Sequence, residues 1–218
     1  KILFFNNNFA INVLFISSAF LAIINRGDVM YLIFFILGTI IASFLGVLIQ
    51  RIPEERDFVK GRSQCDFCNT ELNFLDLIPI ISFVFNKGRC RYCKKKLSNR
   101  YLIIEVLTGI AFVLIYKEAS SYSQLIIQVI FTSILIVIAY IDIDTMLIYD
   151  RFHIYILALG LIDSFINPET LKYRFLGAFI VSIPYFILAK LTNGIGMGDV
   201  KLSFSGGFFL AYPNIVAA

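Results

Sequence analysis

Residues 30–50 read MYLIFFILGTIIASFLGVLIQ, 21 positions without a charge, closed by Arg51-Ile52-Pro53. A helix crossing a hydrocarbon core of about 30 Å needs roughly 20 apolar residues, so this stretch predicts a transmembrane helix. The remainder of the chain points the same way. Of its 218 residues, 59% are hydrophobic and 16% charged, a composition far more apolar than that of an ordinary globular domain. Apolar runs recur at 101–116, 124–141, 152–166, 175–191 and from 200 to the end; each predicts a further helix, some of them short and tilted. The expected fold is therefore an all-α polytopic membrane protein, a bundle of about six or more transmembrane helices.

Charge is concentrated rather than spread. The net value is only +4, but 11 of the 19 basic residues fall between Arg51 and Tyr101. Cytoplasmic loops carry the excess of Lys and Arg, so this segment is expected inside, and the protein is expected to cross the membrane several times. Lipid is an expected partner and nucleic acid is not. Four segments follow: 1–29 as an extra apolar segment, 30–50 as the first core helix, 51–100 as a small cytoplasmic loop domain, and 101–218 as the membrane core. Two readings of 1–29 stand side by side, an additional membrane or signal-like segment and sequence upstream of a true start at Met30. Because Ala218 falls inside an apolar run, the core is expected to be incomplete at its C-terminal end.

The loop holds Cys65-Asp66-Phe67-Cys68 and Cys90-Arg91-Tyr92-Cys93, two C-x-x-C units separated by 21 residues. Each unit can supply one edge of a tetrahedral thiolate site, and together they predict one structural zinc ion with no open coordination position. Such an ion would fold a segment too small and polar to build its own core. Two disulfides or idle thiols are the competing readings; a basic cytoplasmic loop disfavours oxidation.

Acidic residues occur where an apolar span ends. Ile141-Asp142-Ile143-Asp144 leads on to Tyr149-Asp150, and Gly196-Met197-Gly198-Asp199-Val200-Lys201 opens a later span. Counting spans from the basic loop places both groups at one membrane face. An ionisable residue at the edge of the hydrocarbon marks a functional site by default. Two carboxylates a few Å apart share a proton, so one can activate water while the other protonates a carbonyl. The glycines remove bulk and allow close backbone approach. A carrier or channel using the same carboxylates for ions, and a scaffold built on the zinc loop, are the rivals; no repeat between the halves favours a transporter. Alternatively Asp199 serves only as a helix cap. Asp144, Asp150 and Asp163 fit interfacial, water-facing positions, and His153 that of a residue snorkelling at the interface.

From Met30 onward the chain resembles the type IV prepilin peptidases, a family of GxGD intramembrane aspartyl proteases. Ala42-Ser43-Phe44-Leu45-Gly46-Val47 with Arg51-Ile52-Pro53 resembles the family's G-S-F-L-N-V and R-L-P, departing at Ala42 and Gly46. Asp76-Leu77-Ile78-Pro79, Gly88-Arg89-Cys90, Ser98-Asn99-Arg100-Tyr101 and Glu105 follow the family pattern, while Tyr149 stands where proline is usual. The resemblance implies a catalytic pair of Asp142 and Asp199, with Asp144, Asp150, Gly196, Gly198 and Lys201 in support. It also implies a multi-pass protein of the bacterial cytoplasmic (inner) membrane, prepilin or pseudopilin substrates, association with pilus or secretion machinery, and N-methylation of the new terminus with S-adenosylmethionine, to which Gly88 is tied. Among the residues themselves, nothing reads as a nucleotide loop for that donor.

Overall fold

The computed structural model describes residues 29–57, 62–65, 67–192, 194 and 196–211, so the expectations for 1–28 and 212–218 lie outside the described residues. Among the described residues the α-helices are α1 (Val29–Arg51), a short α2 (Ile81–Phe85), α3 (Arg100–Glu118), α4 (Tyr122–Thr145), α5 (Asp150–Ile166), α6 (Leu171–Thr192) and α7 (Met197–Leu210). Among the described residues the β-structure consists of two isolated bridges, Gln64 with Glu71 and Arg89 with Lys96. Among the described residues three segments are long and apolar enough to cross a membrane: Val29–Arg51, Tyr122–Thr145 and Pro168–Thr192.

Helices α1, α3, α4 and α6 run past both ends of their apolar runs, because capping as well as hydropathy sets the boundary. Ser121 starts α4 by accepting a hydrogen bond from the Gln124 N–H at 3.3 Å. The helix then continues through Asp142 and Asp144, and it stops where Met146 turns left-handed at φ 54°. A proline, Pro184, lies inside α6; a membrane helix tolerates this where neighbours satisfy the freed carbonyl.

The described residues divide into two compact units. The first holds α1 as far as Val47, the cysteine loop and α3. Its helices meet at two glycines: a Cβ on Gly38 would lie 2.8 Å from the Gly109 Cα, and one on Gly109 would lie 2.8 Å from the Phe35 ring. Small residues at a crossing let membrane helices approach to van der Waals distance. Beside it, buried Thr39 and Thr108 donate to carbonyls of their own helices, Ile36 and Ile104, at 2.8 and 2.7 Å.

The second unit holds residues 48–57 and α4 through α7, with α7 at its centre. A Cβ on Gly207 would lie 2.6 Å from the Gly177 carbonyl oxygen of α6, and one on Gly160 of α5 would meet the Phe208 ring at 2.8 Å. From α4, Phe131 stacks on Phe209 with ring centres 3.8 Å apart. At the end of α7, buried Arg174 donates to the Phe209 carbonyl at 2.6 Å and pairs with Asp163 of α5. Asp163 thus neutralises a buried guanidinium and does not stand as a simple water-facing residue.

Candidate active site and cysteine centre

In the first unit the cysteine loop is built twice from one pattern, offset by 25 positions. Cys65 N–H donates to the Thr70 carbonyl at 3.0 Å and Cys90 N–H to the Lys95 carbonyl at 2.9 Å. Asn69 N–H returns to Cys65 at 2.9 Å, and Lys94 N–H to Cys90 at 3.0 Å. Leu72 closes onto Ser63 and Leu97 onto Gly88, both at 2.8 Å. In each copy the residue after the second cysteine is left-handed, Asn69 at φ 51° and Lys94 at φ 58°. Asn tolerates that region and Lys does so at a cost, which marks the second turn as held by its surroundings.

These turns bring Cys65, Cys68, Cys90 and Cys93 together with all four sulfurs within 4.8 Å of one another. The Cys65 and Cys93 sulfurs are 4.0 Å apart. Four thiolates around one tetrahedral zinc would lie about 3.8 Å apart, given a Zn–S distance of about 2.3 Å. Backbone N–H groups point at the two buried sulfurs, from Phe67 and Cys68 to Cys65 and from Cys93 and Tyr92 to Cys90. Burial nevertheless pushes the Cys65 thiol up to about 11. Hydrogen bonds from Thr70 pull the Cys68 thiol down to about 6. Burial also opposes ionisation at Cys90, but its N–H donors outweigh it and the thiol sits below the ordinary value. The set is compatible with a metal ion, which would hold all four as thiolates.

The second turn is tied to the rest of the unit through Asp76. One carboxylate oxygen accepts from the Tyr92 hydroxyl at 2.9 Å and from the Asn73 N–H at 3.1 Å. Tyr92 is in consequence a weaker acid than usual, the hydrogen bond to Asp76 being the main cause. Glu105 of α3 accepts the Ile80 N–H at 2.7 Å, holding that residue at φ 60° where a β-branched side chain is strained. Gly88 has a local reason for being glycine: φ is +66° and an added Cβ would meet the Phe83 ring at 3.1 Å.

The carboxylates belong to the second unit. Asp142 lies in the last turn of α4, four residues after Ile138, which is 3% exposed. That spacing sets Asp142 beside the packed face, and it is half-buried, whereas Asp144 is exposed. The Met146 N–H closes the helix on the Asp142 carbonyl at 2.7 Å. Asp199 is the third residue of α7, half-buried, and its carboxylate accepts the Gly196 N–H at 3.2 Å. It therefore caps the helix from inside, in the positive field of the helix start, and Gly196 occupies the cap position itself.

Two contacts join the segment after Asp142 to the start of α7. A Cβ on Gly198 would lie 3.2 Å from the Ile148 Cβ, tighter than an ordinary contact, so the bare glycine lets the turn seat closely on that side chain. Lys201 donates to Asp150 at 2.7 Å, which holds the Asp150 carboxyl below the usual carboxylate range. Gly196 has room for a side chain, the nearest atom to an added Cβ being its own Asp199 partner at 3.5 Å.

His153 departs from the snorkelling position expected for it. It is 6% exposed, and neither ring nitrogen has a hydrogen-bond partner among the described residues. The signal was present in the spacing, since His153 precedes buried Ile156 by three positions and buried Gly160 by seven, one helical face.

Comparison with known proteins bears on both sites. Residues 36–119 match the bacterial peptidase A24 N-terminal domain, and residues 129–218 match the type IV leader peptidase family. The prepilin leader peptidase/N-methyltransferase of Bacillus subtilis (strain 168) is 35% identical over 188 residues, covering 85% of this chain and 76% of that protein. A type 4 prepilin-like proteins leader peptide-processing enzyme of Escherichia coli O78:H11 is 30% identical over 207 residues, covering 82% and 77%. The corresponding prepilin leader peptidase/N-methyltransferase of Neisseria gonorrhoeae is 31% identical over 209 residues, covering 80% and 72%. No solved structure matches the chain. With cysteine turns in one unit, carboxylates on helix ends in the other, and these matches running through both, the chain is a peptidase that belongs to the type IV leader peptidase family.

Proposed function

We propose that this chain removes the basic leader peptide from type IV prepilins or pseudopilins at the cytoplasmic membrane face, with Asp142 and Asp199 as its catalytic pair. The observation that carries the pairing is the seat of Gly198 on Ile148, reinforced by the Lys201–Asp150 bond, which draws the turn after Asp142 to the helix start that bears Asp199. One carboxylate takes a proton from water as it attacks the scissile carbonyl, and the other gives a proton to the carbonyl oxygen. The roles then exchange as the amine leaves. No covalent intermediate forms. Asp144, Asp150, Gly196, Gly198 and Lys201 shape this end of the unit.

In the same reading the protein sits in the bacterial inner membrane as a bundle of about six or more helices, the basic segment 51–100 facing the cytoplasm. The basic leader of the substrate stays on that side for the same reason, which presents the cut bond to the carboxylates. Association with pilus or secretion machinery belongs to this reading. Cys65, Cys68, Cys90 and Cys93 hold one structural zinc, whose chemistry is to fix the two turns. The names of the relatives extend the activity to N-methylation of the new terminus. For S-adenosylmethionine, a cavity of about 430 Å³ beside Gly88 is lined by Lys87, Arg89, Lys94 and Phe85. Its cations suit the carboxylate of that donor and Phe85 its adenine, while no lining acidic side chain answers the donor's ammonium and sulfonium charges.

Cleavage of a detergent-solubilised prepilin, read by mass spectrometry with and without S-adenosylmethionine, tests the reading. Asp142→Asn and Asp199→Asn should each lower the rate by about 10²- to 10⁴-fold, the span of acid–base contributions. Equal cutting by both variants and the native chain refutes the pair. A gain of one methyl on the product supports the second activity.

A further inference from the structure

Helices α1 and α3 pack antiparallel in a register that two contacts fix. A Cβ on Gly38 would lie 2.8 Å from the Gly109 Cα, and one on Gly46 would meet the Tyr101 ring at 4.0 Å. Gly46 stands eight positions beyond Gly38 and Tyr101 eight before Gly109, so the two helices keep step. At about 1.5 Å per residue, Glu105 lies about 6 Å further from the loop end than Tyr101 and Gly46, and the uncharged run of α1 continues about 6 Å past Gly46 to Gln50. The Glu105 carboxylate accepts the Ile80 N–H at 2.7 Å. A helical side chain leans toward the helix start, which brings the carboxylate back by no more than about one turn of about 5.4 Å. The loop therefore dips to Ile80, about 6 Å or more inside the end of a run long enough to fill the hydrocarbon core.

The segment around that dip is amphipathic. In α2, Ile81, Val84 and Phe85 are spaced by three and four positions, which sets them on one face, and all three are exposed. Phe83 is buried on the other side, its ring 3.1 Å from where a Cβ on Gly88 would lie. The 3-10 turn Phe74–Leu77 packs on α2 and leaves Phe74 and Leu75 exposed as well. Backbone donors of α2 are met inside the segment, Ser82 N–H by the Ile78 carbonyl and Val84 N–H by the Ile80 carbonyl, both at 3.0 Å. Non-helical backbone at membrane depth needs its polar groups satisfied by protein, and the Glu105 carboxylate does this for the Ile80 N–H. The exposed apolar side chains are far fewer than the roughly 20–30 residues a side of a stable protein interface. At this depth, beside two membrane helices, the medium that covers them is lipid.

We infer that Phe74–Phe85 re-enters the leaflet on the loop side as an interfacial anchor, with Phe74, Leu75, Ile81 and Val84 among the upper acyl chains and the Ile80–Glu105 bond setting its depth. An interfacial helix buries its apolar face about 5–10 Å into the headgroup and acyl boundary, the level at which Glu105 holds Ile80. Phe85, next on the same face, lines the cavity beside Gly88, which the anchor keeps at the membrane surface. This placement does not need the peptidase reading, only that α1 spans the bilayer.

The chain has no tryptophan, so one introduced indole reports on one place. The test uses the full chain in nanodiscs carrying Ile81→Trp or Val84→Trp, with Leu107→Trp, exposed on α3 two residues beyond Glu105, as the reference for lipid. Fluorescence of the first two should be lost to phospholipids brominated on the acyl chains nearly as much as that of the reference, and more to bromines near the headgroup than to bromines near the chain end. Aqueous acrylamide should quench them far less than it quenches N-acetyltryptophanamide in buffer. In the Ile81→Trp chain, Glu105→Leu should weaken quenching by lipid and strengthen quenching by acrylamide, while Glu105→Gln, which keeps an acceptor for the Ile80 N–H, should retain the native pattern. Probes at 81 and 84 quenched chiefly by acrylamide overturn the anchor, since the face then meets water. Probes quenched by neither agent also overturn it, since protein then covers the face, whether a second copy or another part of this chain. A pattern unchanged by Glu105→Leu overturns the role given to the Ile80–Glu105 bond.

Discussion

The cysteine turns and the carboxylate end are both functional candidates, yet they are assembled by opposite means. Each cysteine turn closes within ten residues through its own backbone bonds, Ser63 to Leu72 and Gly88 to Leu97. Among their described residues only Cys65, Gly88 and Cys90 are buried, so the turns have almost no core. Asp142 and Asp199 are 57 positions apart in the sequence, and the segment after Asp142 meets the start of α7 through the Gly198–Ile148 contact and the Lys201–Asp150 surface ion pair. Local order therefore prepares a four-cysteine cluster, compatible with a metal ion, that needs little tertiary support, whereas the proposed catalytic pair depends on the packing of α4, α5 and α7.

The largest expected effect lies on the local side. Cys90→Ser removes one of two buried ligands, and zinc binding in such sites amounts to roughly 10–16 kcal/mol of folding free energy. Bound zinc, measured by atomic absorption, should fall from one per chain to near zero, and trypsin should then cut the loop at its Lys and Arg residues. The melting of the α4–α7 helices should stay where it was. A melt lowered throughout would break the contrast and make the loop a support for the helices.

The sequence was legible in the same uneven way. Hydropathy announced the six long described helices because lipid requires continuous apolar runs, and the C-x-x-C spacing announced four cysteines that come together, because that pattern is written in the short range. The 25-residue repeat of hydrogen bonds was not legible, since most residues between the cysteines differ from one copy to the other. Asp142 and Asp199 could be named from their positions at span ends and from family resemblance. Ile148 under Gly198 could not, because a contact across 50 positions leaves no periodic trace. His153 was misjudged by its place near an interface, although the spacing to Ile156 and Gly160 marked the buried face. Asp163 was likewise given to water, when its partner Arg174 lies 11 residues on across a turn. The rival readings as transporter and scaffold give way to the peptidase family.

A second effect tests how far the nonlocal side depends on its far end. Asp163→Asn leaves the Arg174 guanidinium buried with carbonyl partners but no counter-charge, a loss of about 3 kcal/mol at the lower end of the range for broken buried pairs. Thermal unfolding in detergent should show it as a clear fall in midpoint, with zinc content unchanged. A smaller fall is expected from Gly207→Ala. The added methyl meets the Gly177 carbonyl oxygen at 2.6 Å, so α6 and α7 must separate, at about 1–3 kcal/mol for overpacking. If either variant also empties the zinc site, the two regions are not assembled independently.

The smallest effect concerns the bond nearest the proposed chemistry. Lys201 and Asp150 are both well exposed, so screening by water leaves the pair little to contribute to stability. Lys201→Ala should shift the melting midpoint less than Gly207→Ala does. Its pH signature has a definite sign. Asp150 lies ahead of the apolar run that begins at Phe152, and its hydrogen bond from Lys201, with the charge behind it, depresses the folded-state value. The contribution is then present in full above the ordinary carboxylate value of about 3.9 and disappears as pH falls through the folded value. Native and Lys201→Ala midpoints should differ by a constant amount from pH 7 to pH 5 and converge below about pH 4. Prepilin cleavage sharpens the point. A drop in kcat far beyond the change in midpoint would mean that the pair aligns the start of α7 with the end of α4, and that a weak surface bond, not the packed core, sets the final spacing of the two carboxylates.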